Sequence, residues 1–101
     1  VMAIRDACAK LNTFSLRGAT IYSSCEPCPM CLSALYWAGV DKIIYGNTQA
    51  DADAIDFSDE FLYKELMKPQ AERKLPCLHM PNDFTIRALR KWADKADKTM
   101  Y

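Results

Sequence analysis

Three features of this 101-residue chain predict an α/β fold. β-prone and helical segments follow one another as strand, helix, strand; the connection between the two strands is long enough for a right-handed parallel crossover; and glycines stand where the elements should end.

The elements read as follows. Val1, Ile4, Ala7/Cys8 and Leu11 make one apolar helical stripe, already running at the first residue with no capping residue ahead of it, so the expectation is a helix whose start precedes Val1. Asn12 to Arg17 is a polar connection. Gly18 leads into the β-prone Ala19-Thr20-Ile21-Tyr22-Ser23. Pro27 suits the first turn of a second helix, where a missing N–H costs nothing, and Cys28 to Ala38 is apolar on nearly every side before Gly39, which predicts a buried helix. Ile43-Ile44-Tyr45 reads as a second strand ended by Gly46. Asn47 to Ser58 reads as a loop with one helical turn, and Asp59 to Met67 as a helix stopped before Pro69. Leu75 to Met80, between prolines, reads as an edge strand at best. Asn82 or Asp83 can cap a last helix with Ile86, Leu89, Ala93 and Ala96 on its apolar face, Trp92 beside them, and Arg87, Arg90, Lys91 and Lys95 opposite.

The composition narrows the function. A hydrophobic content of 50% supports one packed domain or part of one. Thirteen basic and thirteen acidic residues cancel, which disfavours a nucleic-acid partner and favours a small neutral ligand. No apolar run approaches the roughly 18 residues of a membrane span, and no signal segment opens the chain, so a cytoplasmic location is expected. Five cysteines, three of them crowded together, suggest metal or redox chemistry in a reducing compartment rather than a disulfide framework.

That crowd is Cys25-Glu26-Pro27-Cys28-Pro29-Met30-Cys31. Cys28 and Cys31 stand one helical turn apart at a helix N-terminus, where free N–H groups favour negative charge. A catalytic zinc site usually takes three protein ligands and leaves a fourth position to water. Two would be here, and the rest of the site should be a histidine or third cysteine plus a carboxylate. Other readings of the same residues are ordinary buried cysteines, an iron–sulfur run through Cys25, Cys28 and Cys31, or a redox pair. The iron–sulfur run should continue with a fourth cysteine where Leu35 stands, and the redox pair lacks its aromatic and glycine context. His79, the one histidine, has structural surroundings in Met80 and Pro81.

The run Pro27-Cys28-Pro29-Met30-Cys31, preceded by Glu26, resembles the second zinc motif of the cytidine and nucleobase deaminases, which pairs with an upstream His-Xaa-Glu. The wider stretch Tyr22 to Leu32 and the segment Phe57-Ser58-Asp59-Glu60-Phe61-Leu62-Tyr63-Lys64-Glu65 resemble the bacterial guanine deaminases of that superfamily, and the similarity runs over essentially the whole chain. The resemblance implies a three-layer α/β/α sandwich around a mixed sheet, of which residues 1–101 would be the C-terminal two-thirds of a single zinc-dependent domain. It implies Zn2+ on Cys28 and Cys31, with Cys25 a neighbour that does not ligate. It implies Asp59 as a purine-binding residue and proton relay, and the C-terminal Tyr101 as a second contact to the base. By themselves these two residues also fit a helix cap and a chain terminus. The family's His-Ala-Glu would end just before Val1, so the chain alone is expected to be inactive. The family departs from this sequence at Ile55-Asp56, where a glycine is usual.

The reaction implied is hydrolysis of guanine at C2 to xanthine and ammonia. Family members are typically homodimers, and the C-terminal segment can be exchanged between subunits. The rival readings are a deaminase for another base, a nucleoside or tRNA adenosine, and a non-catalytic zinc-binding remnant.

Overall fold

In the computed structural model, which describes residues 1–100, the chain folds around a two-stranded parallel sheet. Strand β1 (Thr20–Cys25) pairs with β2 (Lys42–Asn47) in a register running from Thr20 opposite Lys42 to Cys25 opposite Asn47. Helix α1 (Met2–Leu11) precedes β1, and α2 (Pro29–Ala38) connects the strands, as expected for a parallel crossover. The α/β class therefore stands, with two parallel strands as its sheet among the described residues. Helices α3 (Gln49–Asp53), α4 (Glu60–Met67) and α5 (Asp83–Ala93) follow, with a short 3-10 turn at Gln70–Glu72.

Local chemistry explains most boundaries. Helix α1 ends on Asn12 in the left-handed region, and α2 ends on Gly39 at φ 71°, whose N–H returns to the Leu35 and Tyr36 carbonyls. A capping box opens α3: Thr48 accepts from the Asp51 N–H while the Asp51 carboxylate accepts from the Thr48 N–H. Asn82 caps α5, its Oδ1 accepting from the N–H groups of Phe84 and Thr85, both at 3.0 Å.

The core is small and lies where the Asn12–Arg17 connection crosses the end of α2. Leu16, Leu35 and Ala38 are its buried apolar residues, and the Leu16 N–H donates to the Ala38 carbonyl at 2.7 Å. Asp41 ties the same connection to the start of β2: its Oδ1 accepts from the Gly18 N–H at 2.9 Å, and its own N–H donates to the Ala19 carbonyl at 2.9 Å.

Four expectations are corrected. Helix α2 is not buried all round, for Tyr36 and Trp37 are 79% and 73% exposed; its apolar composition reports a surface that the described residues leave uncovered. The proline in its first turn is Pro29, and Cys28 stands at the N-cap in an extended conformation. Gly46 lies inside β2 instead of ending it. Leu75 to Met80 forms no strand; Pro76 removes a ladder donor.

The molecule is flat and extended, 48 × 40 × 17 Å, with a radius of gyration of 17.8 Å. A packed domain of this length would have about 13 Å. Much of the difference lies in the C-terminal part, where every residue of α5 is exposed and no other element packs substantially on it.

Candidate metal centre

The parallel pairing of β1 and β2 carries both strand ends to one edge of the sheet, and the cysteine turn leaves from that edge. Ile21, Ser23 and Cys25 face the same way along β1 and are half-buried. The turn is then tied to the neighbouring strand by backbone and side chain. The Glu26 N–H donates to the Asn47 carbonyl at 2.8 Å, and the Asn47 side-chain amide donates to the Ser24 carbonyl at 3.1 Å. Glu26 Oε2 accepts from the Gln49 N–H at 3.0 Å, which occupies one of the free donors at the start of α3.

Pro29 then starts α2 with its ring in the first turn, and Leu32 N–H donates to the Cys28 carbonyl at 2.9 Å. Cys28 at the N-cap and Cys31 three residues on both line one open cavity of about 560 Å³, a size suited to a small organic ligand. The first turn of α1 reaches the same cavity through Val1, Ala3 and Ile4, and the loop ahead of α4 reaches it through Phe57, Ser58 and Asp59. The structure thus brings Cys28, Cys31 and Asp59 to one place. Tyr101, the remaining site residue expected from the sequence, lies outside the described residues.

Asp59 is half-buried at the N-cap position of α4, yet its side chain makes no capping bond; the Ser58 hydroxyl accepts from the Glu60 N–H at 3.3 Å instead. The simple cap reading of Asp59 is set aside. Phe57 adds an apolar ring to the same wall. Just before it, Asp56 has φ 59°, a left-handed conformation that glycine adopts without strain.

The donor set suits zinc in part. Two soft thiolate ligands at a helix N-terminus are appropriate to that metal. Among the described residues no third histidine, cysteine or carboxylate completes a group that could hold it. Cys25 lines the cavity, but its Sγ is directed to the Thr48 carbonyl at 3.9 Å. His79 is exposed in an irregular segment and is not in the cavity wall.

Sequence reasoning missed Tyr63. Its hydroxyl donates to the Pro27 carbonyl at 2.6 Å, across 36 residues, and its side chain is half-buried. Burial, followed by the nearby Asp59 carboxylate, pushes this hydroxyl above its ordinary pKa of 10.0, against a hydrogen bond from Gln49; Glu26 and Cys28 push in the same upward direction. The one legible signal was the i,i+4 spacing of Asp59 and Tyr63, which puts both on one face of α4.

Residues 1–47 match the family model described as the cytidine and deoxycytidylate deaminase zinc-binding region. The match takes in β1, the cysteine turn, α2 and β2, the elements that bear Cys28 and Cys31. Over all 101 residues the chain is 40% identical to guanine deaminase from Bacillus subtilis, covering 65% of that protein. The X-ray structure of guanine deaminase from B. subtilis superposes with a TM-score of 0.91 at 39% identity, over 98% of this chain and 63% of that one. A tRNA-specific adenosine deaminase of B. subtilis is 35% identical over 72 residues, 71% of this chain and 45% of the relative. The chain therefore spans just under two thirds of the guanine deaminases it matches.

Proposed function

We propose that this chain is the C-terminal two-thirds of a deaminase domain that hydrolyses guanine to xanthine and ammonia. Cys28 and Cys31 hold zinc, and the third ligand and a general acid/base glutamate come from a His-Xaa-Glu preceding Val1. The observation that carries the reading is a convergence: Val1, Ala3 and Ile4 of α1, both cysteines, and Asp59 all line one cavity. Support for guanine over other bases comes from the similarity to guanine deaminase along the whole chain.

When bound, zinc supplies from water a nucleophilic oxygen that is available near neutral pH. The chain's own residues do the remaining work. Cys28 and Cys31 would hold the metal in the cavity that both of them line. Asp59, free of any duty as a cap, accepts hydrogen bonds from the purine edge and passes a proton towards the departing amine. Phe57 provides an apolar face for the ring, and Tyr101 is the second contact to the base. Water balances the reaction: its oxygen becomes the C2 carbonyl oxygen of xanthine, and the amino group leaves as ammonia.

The enzyme works as a homodimer with an exchanged C-terminal segment. Helix α5 supports this, because Ile86, Leu89 and Trp92 form an apolar face that is exposed among the described residues. A cytoplasmic location suits five free cysteines.

The test is release of ammonia by the full-length zinc-loaded protein from a panel of guanine, adenine, cytosine, guanosine and a tRNA anticodon stem-loop. Guanine should be turned over best, and Asp59→Asn should lower that turnover while zinc stays bound. Preference for the stem-loop would move the assignment to tRNA adenosine, in keeping with the second relative. Bound zinc with no turnover of any substrate would leave a zinc-binding remnant.

A further inference from the structure

We propose that Tyr63 is a positioning residue for the metal-binding turn, its hydroxyl holding the Pro27 carbonyl and thereby setting Cys28 in register with Asp59. The inference rests on the reading of Cys28 as a metal ligand.

The argument starts from the two prolines. Cys28 is flanked by Pro27 and Pro29, neither of which has an N–H, so the backbone around this thiol has few groups by which the rest of the protein can hold it. Before Cys28, the Glu26 N–H is paired with Asn47. After it, the Cys28 carbonyl is used within α2 by Leu32. The Pro27 carbonyl is the only backbone hydrogen-bonding group that Pro27 possesses, and Tyr63 takes it at 2.6 Å. The peptide bond from Pro27 to Cys28 is planar, so holding its oxygen fixes the plane that leads into the Cys28 Cα.

Tyr63 is itself held. Its ring is half-buried, the Gln49 side chain lies near its hydroxyl, and the Gln49 backbone N–H is bound by Glu26 Oε2 at 3.0 Å. The result is a closed loop of contacts running Glu26, Gln49, Tyr63, Pro27, with the last member adjacent to the ligand. Four residues before Tyr63 on the same face of α4 stands Asp59. One helix therefore sets both a wall of the ligand cavity and the turn that bears the metal. A tyrosine that only pinned α4 to the body would need any carbonyl there; this one uses the carbonyl next to Cys28.

The experiment uses the full-length protein. Tyr63→Phe keeps the ring and removes the hydroxyl. Zinc affinity is measured by competition with a chromophoric chelator, and the ligand field is read from the visible bands of the cobalt-substituted protein. The expected result is zinc binding weakened about tenfold, in the range for groups that orient metal ligands, with shifted cobalt bands. The thermal midpoint of the metal-free form reports folding separately. If Tyr63→Phe folds poorly, Gln49→Met, which removes the amide that lies near the hydroxyl, should shift the cobalt bands in the same direction. Wild-type affinity and bands in Tyr63→Phe, with zinc lost in Cys28→Ser, would overturn the inference and leave the ligand reading standing. Wild-type zinc binding in Cys28→Ser would overturn the ligand reading and this inference with it.

Discussion

Removing the Glu26 carboxylate tests whether the cysteine turn is anchored to α3 as the structure has it. Glu26 Oε2 lies 3.0 Å from the Gln49 N–H, a donor at the first turn of α3 with no partner inside the helix. A hydrogen bond to a charged group contributes about 1.5–3 kcal/mol net. Both residues are half-buried, so water can reach the freed donor, and the lower end applies. Glu26→Ala should therefore lower the unfolding free energy of the zinc-free, full-length protein by about 1.5 kcal/mol, roughly a tenfold change in the folding equilibrium. Glu26→Gln keeps a neutral acceptor and should cost about half as much, near 0.5–1 kcal/mol. Urea unfolding followed by circular dichroism reads both, with the slope unchanged. An alanine variant within about 0.5 kcal/mol of wild type, the scatter of ordinary surface substitutions, would refute the anchor.

Asp56 has φ 59°, so Asp56→Val should cost about 1–3 kcal/mol in thermal unfolding and raise KM for guanine, because the residue lines the cavity; Asp56→Gly should be nearly neutral. A Cβ at Gly46 would meet the Ser24 carbonyl at 3.2 Å, so Gly46→Ala should push the end of β1 and destabilise by about 1 kcal/mol or more, and an unchanged urea midpoint would contradict that geometry. Glu65 has its pKa held below the ordinary 4.5, first by the Lys68 ammonium and then by the Lys74 N–H. Its contribution to stability is fully present above 4.5 and is lost as pH falls through the lower folded value, so Glu65→Gln should flatten the acid side of the stability profile.

Much of this was legible because the signals are local. The apolar stripe of α1, the Gly39 stop, the Asn82 cap and the cysteine spacing each depend on residues within a turn or two of one another, and each appears where it was expected. The convergence of Cys28, Cys31 and Asp59 was legible only through family resemblance, since periodicity says nothing about which loop closes over which helix. For Tyr63 the sequence offered only its i,i+4 spacing from Asp59. Its bond to Pro27 spans 36 residues, and a tyrosine in an amphipathic helix reads as packing. The apolar residues of α2 suggested burial, yet Tyr36 and Trp37 are exposed, because composition states that a surface needs covering and not what covers it. Leu75–Met80 failed as a strand for a different reason: Pro76 has no N–H to give to a ladder, and apolar composition does not replace it.

Zinc K-edge absorption on the full-length protein tests the central claim most directly, because it counts the ligands. The account requires two sulfurs at about 2.3 Å together with lighter nitrogen or oxygen neighbours at about 2.0–2.1 Å, and one sulfur fewer in Cys28→Ser and in Cys31→Ser. A shell of four sulfurs, which describes a closed structural site, or a shell with none would contradict it.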